Sequence, residues 1–170
     1  MRKTVIRAFF FLCNLNAFAQ DEGNLVKYVS QIDWTFFRGV QDADSLGARI
    51  STSIYLEVVK TSIWNGTITF KAGALMNPCA SWVRPGYFDG HTLQHEQTHF
   101  NITEVCARGL QGELNQMKIK LKDSPIIQST FSKWQAKMED LQKQYDLETK
   151  GGRDSFTQEL WYQRILKELR

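Results

Sequence analysis

Residues 95 to 99 read His-Glu-Gln-Thr-His and place two imidazoles and a carboxylate close together in the chain. Residues four apart on an α-helix lie on one face, one turn apart, so His95 and His99 can point at a single ion. Glu96 would lie beside that ion, where a carboxylate can activate a zinc-bound water. The spacing therefore predicts a Zn²⁺ site with His95 and His99 as metal ligands and Glu96 as the catalytic base.

Two other residues of this segment fail as a third ligand. His91 precedes His99 by two helical turns, about 12 Å along the axis, which is too far for both to bind one ion. Glu104 would point to the opposite side of the helix, where it can pair with Arg108 one turn later. We expect Glu104 to have a structural role.

A catalytic zinc ion usually has three protein ligands and one open position. The remaining candidates for the third ligand are Asp146 and Glu148, in the segment "QYDLETKGG". Sequence spacing alone does not choose between these two carboxylates.

The first 19 residues have the features of a signal peptide. The basic start "MRK" precedes a short apolar run, and Ala17-Phe18-Ala19 provides the small residues of a cleavage site. Cleavage leaves residues 20–170 as a single domain that is periplasmic or secreted, and the alternative is an uncleaved N-terminal anchor. No later segment approaches the length and hydrophobicity of a membrane span.

The charge balance indicates a neutral mature protein. The chain has 21 Lys and Arg against 18 Asp and Glu, and Arg2, Lys3 and Arg7 belong to the predicted signal peptide. The 18 basic residues that remain equal the acidic ones, which disfavours nucleic acid as a partner. Cys79 and Cys106 remain in the mature chain and either form one disulfide or stay as separate thiols.

The mature chain is predicted to be a single α+β domain with an N-terminal antiparallel β-sheet followed by three helices. The segments with strand composition are "YVSQIDWTFFRGV", "ARISTSIYLEVV", "TSIWNGTITFKAG" and "CASWVRPGYFDG". Within the third of these, Asn65-Gly66 suits a tight hairpin turn with both residues at positive φ.

Apolar residues at three-to-four spacing predict the helices. The first begins near residue 91, the second at Ser124-Pro125 with Ser124 as its cap, and the third at Ser155 with Gln158 in a capping box. The predicted buried stripes are Phe100, Ala107, Leu110, Leu114, Met117 and Leu121, then Ile127, Phe131, Trp134, Met138, Leu141 and Tyr145, and finally Phe156, Leu160, Trp161, Ile165 and Leu169.

Several motifs occur in a characteristic order along the mature chain: "IDWTFFRGV", "ARISTSI" with "SWVRP", "HEQTHFNITEVCARGL" and "YDLETKGGRDSFTQELWYQRI". In this order they resemble a bacterial family of predicted secreted zinc-dependent proteases. The matching residues outside the central helix are Trp34, Phe37, Gly39, Gln158 and Trp161. The resemblance implies His95 and His99 as metal ligands and Glu96 as the general base. The fold we expect is zincin-like, with the His-Glu-x-x-His helix against the sheet.

The chain departs from this family in two places. Many relatives carry a histidine shortly after the Tyr-Asp-x-x-Thr segment, where this chain has Lys150, Gly151 and Gly152. Either Asp146 or Glu148 replaces that histidine, or the site binds metal weakly, or the activity has been lost. Asn101 stands where relatives often have aspartate.

The sequence therefore predicts an exported zinc-dependent metallohydrolase, a peptidase acting on peptide or protein substrates, with "SWVRP" offering a strand edge to the substrate. The alternative is a catalytically inactive zincin-like envelope interaction module that lacks a complete metal site. A metal hydrolase of cell-wall amide bonds would carry the same helix. An active site needs a third ligand close to both histidines, and the interaction module would lack this ligand.

Overall fold

The structure is a computed structural model that describes residues 25–41, 46–120 and 123–170. The predicted signal peptide and Leu121 lie outside the described residues. The elements, in chain order, are strands β1 (Val26–Lys27), β2 (Ala48–Arg49), β3 (Thr52–Thr61), β4 (Ile68–Met76) and β5 (Trp82–Val83), then helices α1 (Gly90–Gln116), α2 (Ser124–Thr149) and α3 (Ser155–Leu169). The predicted α+β organisation, with an antiparallel sheet followed by three helices, is confirmed.

The strands form two antiparallel sheets. The larger has the order β1-β4-β3, with β3 and β4 paired from Thr52 opposite Met76 to Thr61 opposite Ile68. A bulge at Val59 interrupts this pairing between Val58 and Lys60. The smaller sheet joins β2 to β5, and it lies beside the N-terminal half of α1 because Glu96 accepts a hydrogen bond from the backbone N–H of Ile50.

The long first strand predicted at "YVSQIDWTFFRGV" is wrong. These are residues 28–40, and none of them is in a strand: β1 (Val26–Lys27) ends just before them, and Trp34–Phe36 forms a short 3-10 helix with Asp33 as its cap. The backbone N–H of Ile32 donates to the side chain of Gln97 on α1, at 2.7 Å. This part of the segment is therefore held by a side chain of α1 and not by the backbone of a neighbouring strand. Its β-rich composition could not reveal this contact.

The predicted hairpin is present between β3 and β4, but its turn is longer than expected. It covers residues 62–67, and Ser62 N–H donates to Thr67 C=O at 2.8 Å. Gly66 has a φ of 70°, whereas Asn65 keeps a negative φ and uses its side chain to accept from Thr67 N–H. The prediction of two central residues at positive φ is wrong, because the Asn65 side chain replaces a backbone acceptor.

Helix α1 runs along the edge of β4 and satisfies its backbone. Asn115 accepts from Phe70 N–H at 2.8 Å, Gln111 from Ala72 N–H at 2.9 Å and Glu104 from Ala74 N–H at 2.9 Å. Residues 104, 111 and 115 share one helix face, and alternate residues of a strand face the same edge. These bonds cap an edge that would otherwise be open and set the position of α1 along the sheet.

The helices begin at or next to the predicted residues, but the residues that cap them differ from the predicted ones. Asp89 and Asp154 cap α1 and α3 with their side chains, and Asp123 precedes α2 without such a bond. Ser124 is therefore inside α2 rather than its cap. The predicted capping box at Gln158 is also wrong, because its side chain reaches the C=O of His91 at 3.0 Å.

The core lies between the larger sheet and the helices, and most of the predicted stripes contribute to it. On α1 the buried members are Phe100, Ala107, Leu110 and Leu114, and on α3 they are Trp161 and Ile165. Met117, Phe156 and Leu160 are instead exposed by 45 %, 73 % and 56 %. Met117 follows the last residue of α1, and α3 presents only a narrow face to its neighbours, so these three predictions are wrong.

Cys79 and Cys106 do not form a disulfide with each other. Cys79 lies in an exposed 3-10 helix between β4 and β5, whereas Cys106 is completely buried in α1. The alternative of separate thiols therefore describes this structure. No described helix is long and apolar enough to cross a membrane.

Candidate metal centre

Three potential ligand atoms meet where α1 approaches the end of α2. The Nε2 atoms of His95 and His99 are 3.3 Å apart. Asp146 places Oδ1 at 3.1 Å from the first nitrogen and 2.9 Å from the second. Of the two carboxylates that the sequence left open, the structure brings Asp146 to the histidines.

The arrangement fits a small divalent cation. Two ligands at about 2.0–2.1 Å from a tetrahedral ion are separated by about 3.3 Å, which is close to the distances among these three atoms. Two imidazoles and one carboxylate form a donor set that zinc accepts readily, and three ligands leave one position of a tetrahedron open. Both histidines are largely buried, with 7 % and 8 % exposure, whereas the Asp146 side chain reaches the cavity surface.

Asp146 lies in the last turn of α2, which ends at Thr149. Lys150 terminates the helix in the left-handed conformation, with φ of 55°, and Gly151 N–H donates to the C=O of Asp146 at 2.7 Å. Glu148 lies two residues further on, about 200° around the helix. It accepts a hydrogen bond from the Trp161 indole at 2.7 Å and takes no part in the cluster.

The histidines favour the ionised form of Asp146. Burial alone would raise the pKa of this carboxyl, but its hydrogen bonds with His95 and His99 outweigh that effect and hold the pKa well below its usual range. Asp146 is therefore a carboxylate at neutral pH, which is the form that binds a cation.

Tyr145 packs against both imidazoles. Its ring stacks on His95, with centroids 4.7 Å apart and planes at 22°, and it meets His99 edge-on at 5.0 Å. Trp161 of α3 supports Tyr145 from behind, with centroids 5.4 Å apart. The apolar spacing predicts Tyr145 only as a core residue and does not reveal this contact, although the position of Tyr145 next to Asp146 is a signal of it.

Glu96 lies in the same cavity and is 4 % exposed. Its Oε2 atom accepts a hydrogen bond from the Ile50 backbone N–H at 2.8 Å, which ties the carboxyl group to the end of β2. Burial raises the pKa of Glu96 to about 7, although His95 and the Ile50 hydrogen bond act in the opposite direction. A carboxyl group with such a pKa can both accept and return a proton near neutral pH.

Gly152 lies directly behind His95. A Cβ atom at this position would be 3.3 Å from His95 Nδ1 and 3.3 Å from Gln158 Oε1, and both of these atoms are buried without a hydrogen-bond partner. The residue also has a φ of 82°, which favours glycine. The absence of a side chain at Gly152 thus lets the chain pass close to a proposed ligand.

His91 belongs to the surroundings of this cluster and is not one of its ligands. The Nε2 atom of His91 lies 2.5 Å from the C=O of Gly152. The side chain of Gln158 donates a hydrogen bond to the C=O of His91 at 3.0 Å. His91 and Gln158 therefore connect the start of α1 to the loop that follows α2. The helical spacing also disfavours His91 as a ligand of the ion that His99 would bind.

Two other polar residues of α1 have structural roles. Glu104 pairs with Arg108 at 2.8 Å and caps the edge of β4, as expected for a residue on the far side of the helix. Asn101 accepts hydrogen bonds from the Tyr28 hydroxyl at 2.9 Å and from Gln97 at 2.8 Å. Neither residue contacts His95 or His99 in these interactions.

A cavity of about 710 Å³ opens over the three ligands. Residues 46–50, which include β2, form one wall, and residues 151–153 contribute to another. His95, Glu96, His99 and Asp146 line the same space. A substrate that entered this cavity would meet the proposed ligands and the proposed base together.

No protein-family model, curated protein or solved structure matches this chain. The family resemblance indicated by the motifs therefore stays a prediction, and the case for a function depends on the geometry of the site.

Proposed function

We propose that this protein is an exported zinc-dependent peptidase with a zincin-like arrangement of its active-site helix. The observation that carries the proposal is the convergence of Asp146 on His95 and His99. The two histidines are one turn apart on α1, and the carboxylate from α2 joins them in a group of three potential ligand atoms that all lie within 4.8 Å of one another.

His95, His99 and Asp146 would hold the metal ion. When bound, zinc supplies a positive charge that polarises a substrate carbonyl and makes a coordinated water more acidic. Tyr145 keeps the two imidazoles in place, and Asp146 provides a negative charge that favours a cation over an anion at this position.

Glu96 would be the general base. Its hydrogen bond to Ile50 keeps the carboxyl group at the base of the cavity, beside the ligands rather than among them. There it can take a proton from the attacking water and deliver it to the nitrogen that leaves. Its raised pKa suits both steps at neutral pH.

The strand edge available to an extended substrate belongs to β2 rather than to "SWVRP". Arg84 N–H donates to Gly47 C=O at 2.8 Å, so Gly47 and Arg49 direct their backbone groups toward β5. Ala48 and Ile50 direct theirs to the other side, and the Ile50 N–H reaches Glu96. β5 lies behind β2, and a peptide in the cavity would pair with Ala48.

The rival proposal is an inactive interaction module. Its main support was the absence of the family histidine after α2, which leaves a site with only two ligands. Asp146 weakens this argument, because its carboxylate lies within 3.1 Å of both imidazoles, where a third ligand would bind. We therefore favour the enzyme.

The first test is metal content. We expect wild-type protein to bind one zinc ion per chain by atomic emission after dialysis, and the His95→Ala and Asp146→Ala variants to bind much less. Glu148→Ala is the matched control, since it removes a carboxylate from the same helix outside the cluster. Equal, negligible zinc in all four proteins would exclude the proposal.

The second test is hydrolysis of a mixture of unstructured peptides, followed by mass spectrometry. Cleavage that requires zinc and is lost in Glu96→Gln supports a peptidase. A protein that binds zinc tightly but cleaves neither peptides nor cell-wall amides would leave the metal site standing and contradict the enzymatic proposal.

A further inference from the structure

The tip of the β3–β4 hairpin exposes two large apolar side chains. Ile63 and Trp64 are 89 % and 93 % exposed, the latter being the largest exposure among the described large hydrophobic residues. They are adjacent in the chain and lie in the turn formed by residues 62–67. Together they form one contiguous apolar patch, the kind of exposed surface that marks a protein or membrane interaction site.

Internal hydrogen bonds hold this turn in one shape. Ser62 N–H donates to Thr67 C=O at 2.8 Å, and Gly66 N–H donates to Ser62 C=O at 2.9 Å. Asn65 Oδ1 accepts from both the N–H and the hydroxyl of Thr67, at 3.0 Å and 2.7 Å. Ile63 and Trp64 are therefore presented by an ordered turn, and binding need not order the backbone first.

Three lysines lie in the segments next to this tip. Residues 118–120, which follow α1, lie against it because Thr67 forms a β-bridge with Lys120 and Ile68 N–H donates to Ile119 C=O at 2.8 Å. Lys60, Lys118 and Lys120 are all exposed. The acidic neighbour is Asp123, whose carboxylate accepts from the Lys120 N–H. The charge beside the apolar tip is thus predominantly positive.

The size and composition of the tip favour a lipid surface over a protein partner. A stable protein interface buries about 800 Å² on each side, which two side chains on a projecting turn cannot provide. Tryptophan prefers the boundary between lipid headgroups and acyl chains, and nearby lysines attract anionic headgroups. Each of these contributions is small, and together they give reversible binding.

We infer that the β3–β4 tip docks this protein on anionic membrane surfaces, with Ile63 and Trp64 entering the interface and Lys60, Lys118 and Lys120 contacting headgroup phosphates. The inference does not depend on the metal centre. It adds a membrane-surface location to a chain in which no described helix can span a bilayer.

The test is co-sedimentation of the full chain with vesicles of phosphatidylcholine, either alone or mixed with phosphatidylglycerol. We expect binding to the mixed vesicles and little to the neutral ones. Trp64→Ala should lower the partition coefficient about tenfold, because burial of a tryptophan side chain strengthens binding by at least about a factor of ten. The double substitution Lys118→Gln with Lys120→Gln should weaken binding in low salt more than in high salt.

The matched control is Val40→Ser, which removes an apolar side chain that is 91 % exposed outside the tip. This variant should bind like wild type, and any contribution of the N-terminal segment is common to all the proteins compared. All four altered residues are exposed, so circular dichroism should show unchanged folding. Equal binding of wild type and Trp64→Ala to the mixed vesicles overturns the inference. A second outcome also overturns it: the wild type sediments in the absence of vesicles, and the Trp64→Ala variant does not. The tip would then join copies of the chain.

Discussion

The ring of Tyr145 lies almost parallel to the imidazole of His95, with centroids 4.7 Å apart and planes at 22°. The hydroxyl of Tyr145 is buried close to Thr98 without a well-formed hydrogen bond, and burial raises the pKa of this phenol well above its usual range. The face of the ring therefore matters more to the site than its oxygen.

This relationship predicts different effects for two substitutions of Tyr145. Tyr145→Phe keeps the stacked ring, so zinc affinity and stability should stay near those of wild type. Tyr145→Ala leaves a cavity behind both histidines and should lower the free energy of unfolding by about 3–5 kcal/mol. Zinc titration of the folded Ala variant should show affinity at least tenfold weaker. Equal zinc affinity in the two variants would show that the ring does not position the ligands.

Glu96 should separate metal binding from catalysis. We expect Glu96→Gln to keep zinc, since an amide oxygen can still accept the hydrogen bond from Ile50 N–H. Peptide hydrolysis should fall by about 10²–10⁴-fold, which is the usual contribution of a general base. Glu148→Gln is the control and should hydrolyse peptides at the wild-type rate. Full activity in Glu96→Gln would assign the proton transfer to another group.

Gly152 should be sensitive to a single added methyl group. Both Gly151 and Gly152 have positive φ, at 63° and 82°, but only a Cβ on Gly152 would approach His95 Nδ1. Gly151→Ala and Gly152→Ala should each lose about 1 kcal/mol of stability from backbone strain. Only Gly152→Ala should also weaken zinc binding, as measured by competition with a chelating dye. A similar loss of affinity in both variants would point to a general effect of the loop.

The caps that α1 places on β4 should be visible in hydrogen exchange. Gln111→Leu leaves the Ala72 N–H without its acceptor, which should cost about 1–3 kcal/mol. We expect faster exchange of the Ala72 amide and a lower denaturation midpoint. Gln128→Leu, on an exposed part of α2, controls for the change of side chain. Unchanged exchange at Ala72 would mean that water replaces the cap.

The two cysteines should react differently with iodoacetamide at pH 8. Burial raises the pKa of the Cys106 thiol to about 11 and shields it from reagent, whereas Cys79 is exposed. Peptide mapping should find Cys79 modified in the folded protein and Cys106 modified only after denaturation. A Cys79–Cys106 peptide found in protein recovered from an oxidising compartment would contradict the separate thiols.

Local spacing in the sequence determined much of this protein. The pattern from His95 to His99 predicts two imidazoles on one helical face, because four residues make about one turn. Repeated apolar residues predict the three helices, and Asn65-Gly66 predicts where β3 turns back into β4. Each of these features depends on residues that are neighbours along the chain, so one segment contains all the information.

Tertiary structure alone decided which groups complete the site. Asp146 and Glu148 were equal candidates in the sequence, and the choice between them depends on the direction from which α2 approaches α1. Asp146 reaches His99 across a separation of 47 residues. The same holds for β2, which faces the cavity in place of β5, and for Gln158, which binds His91 instead of capping its own helix. Contacts between distant segments depend on how whole elements pack against each other. The spacing of residues within one segment contains no information about the distance between two segments.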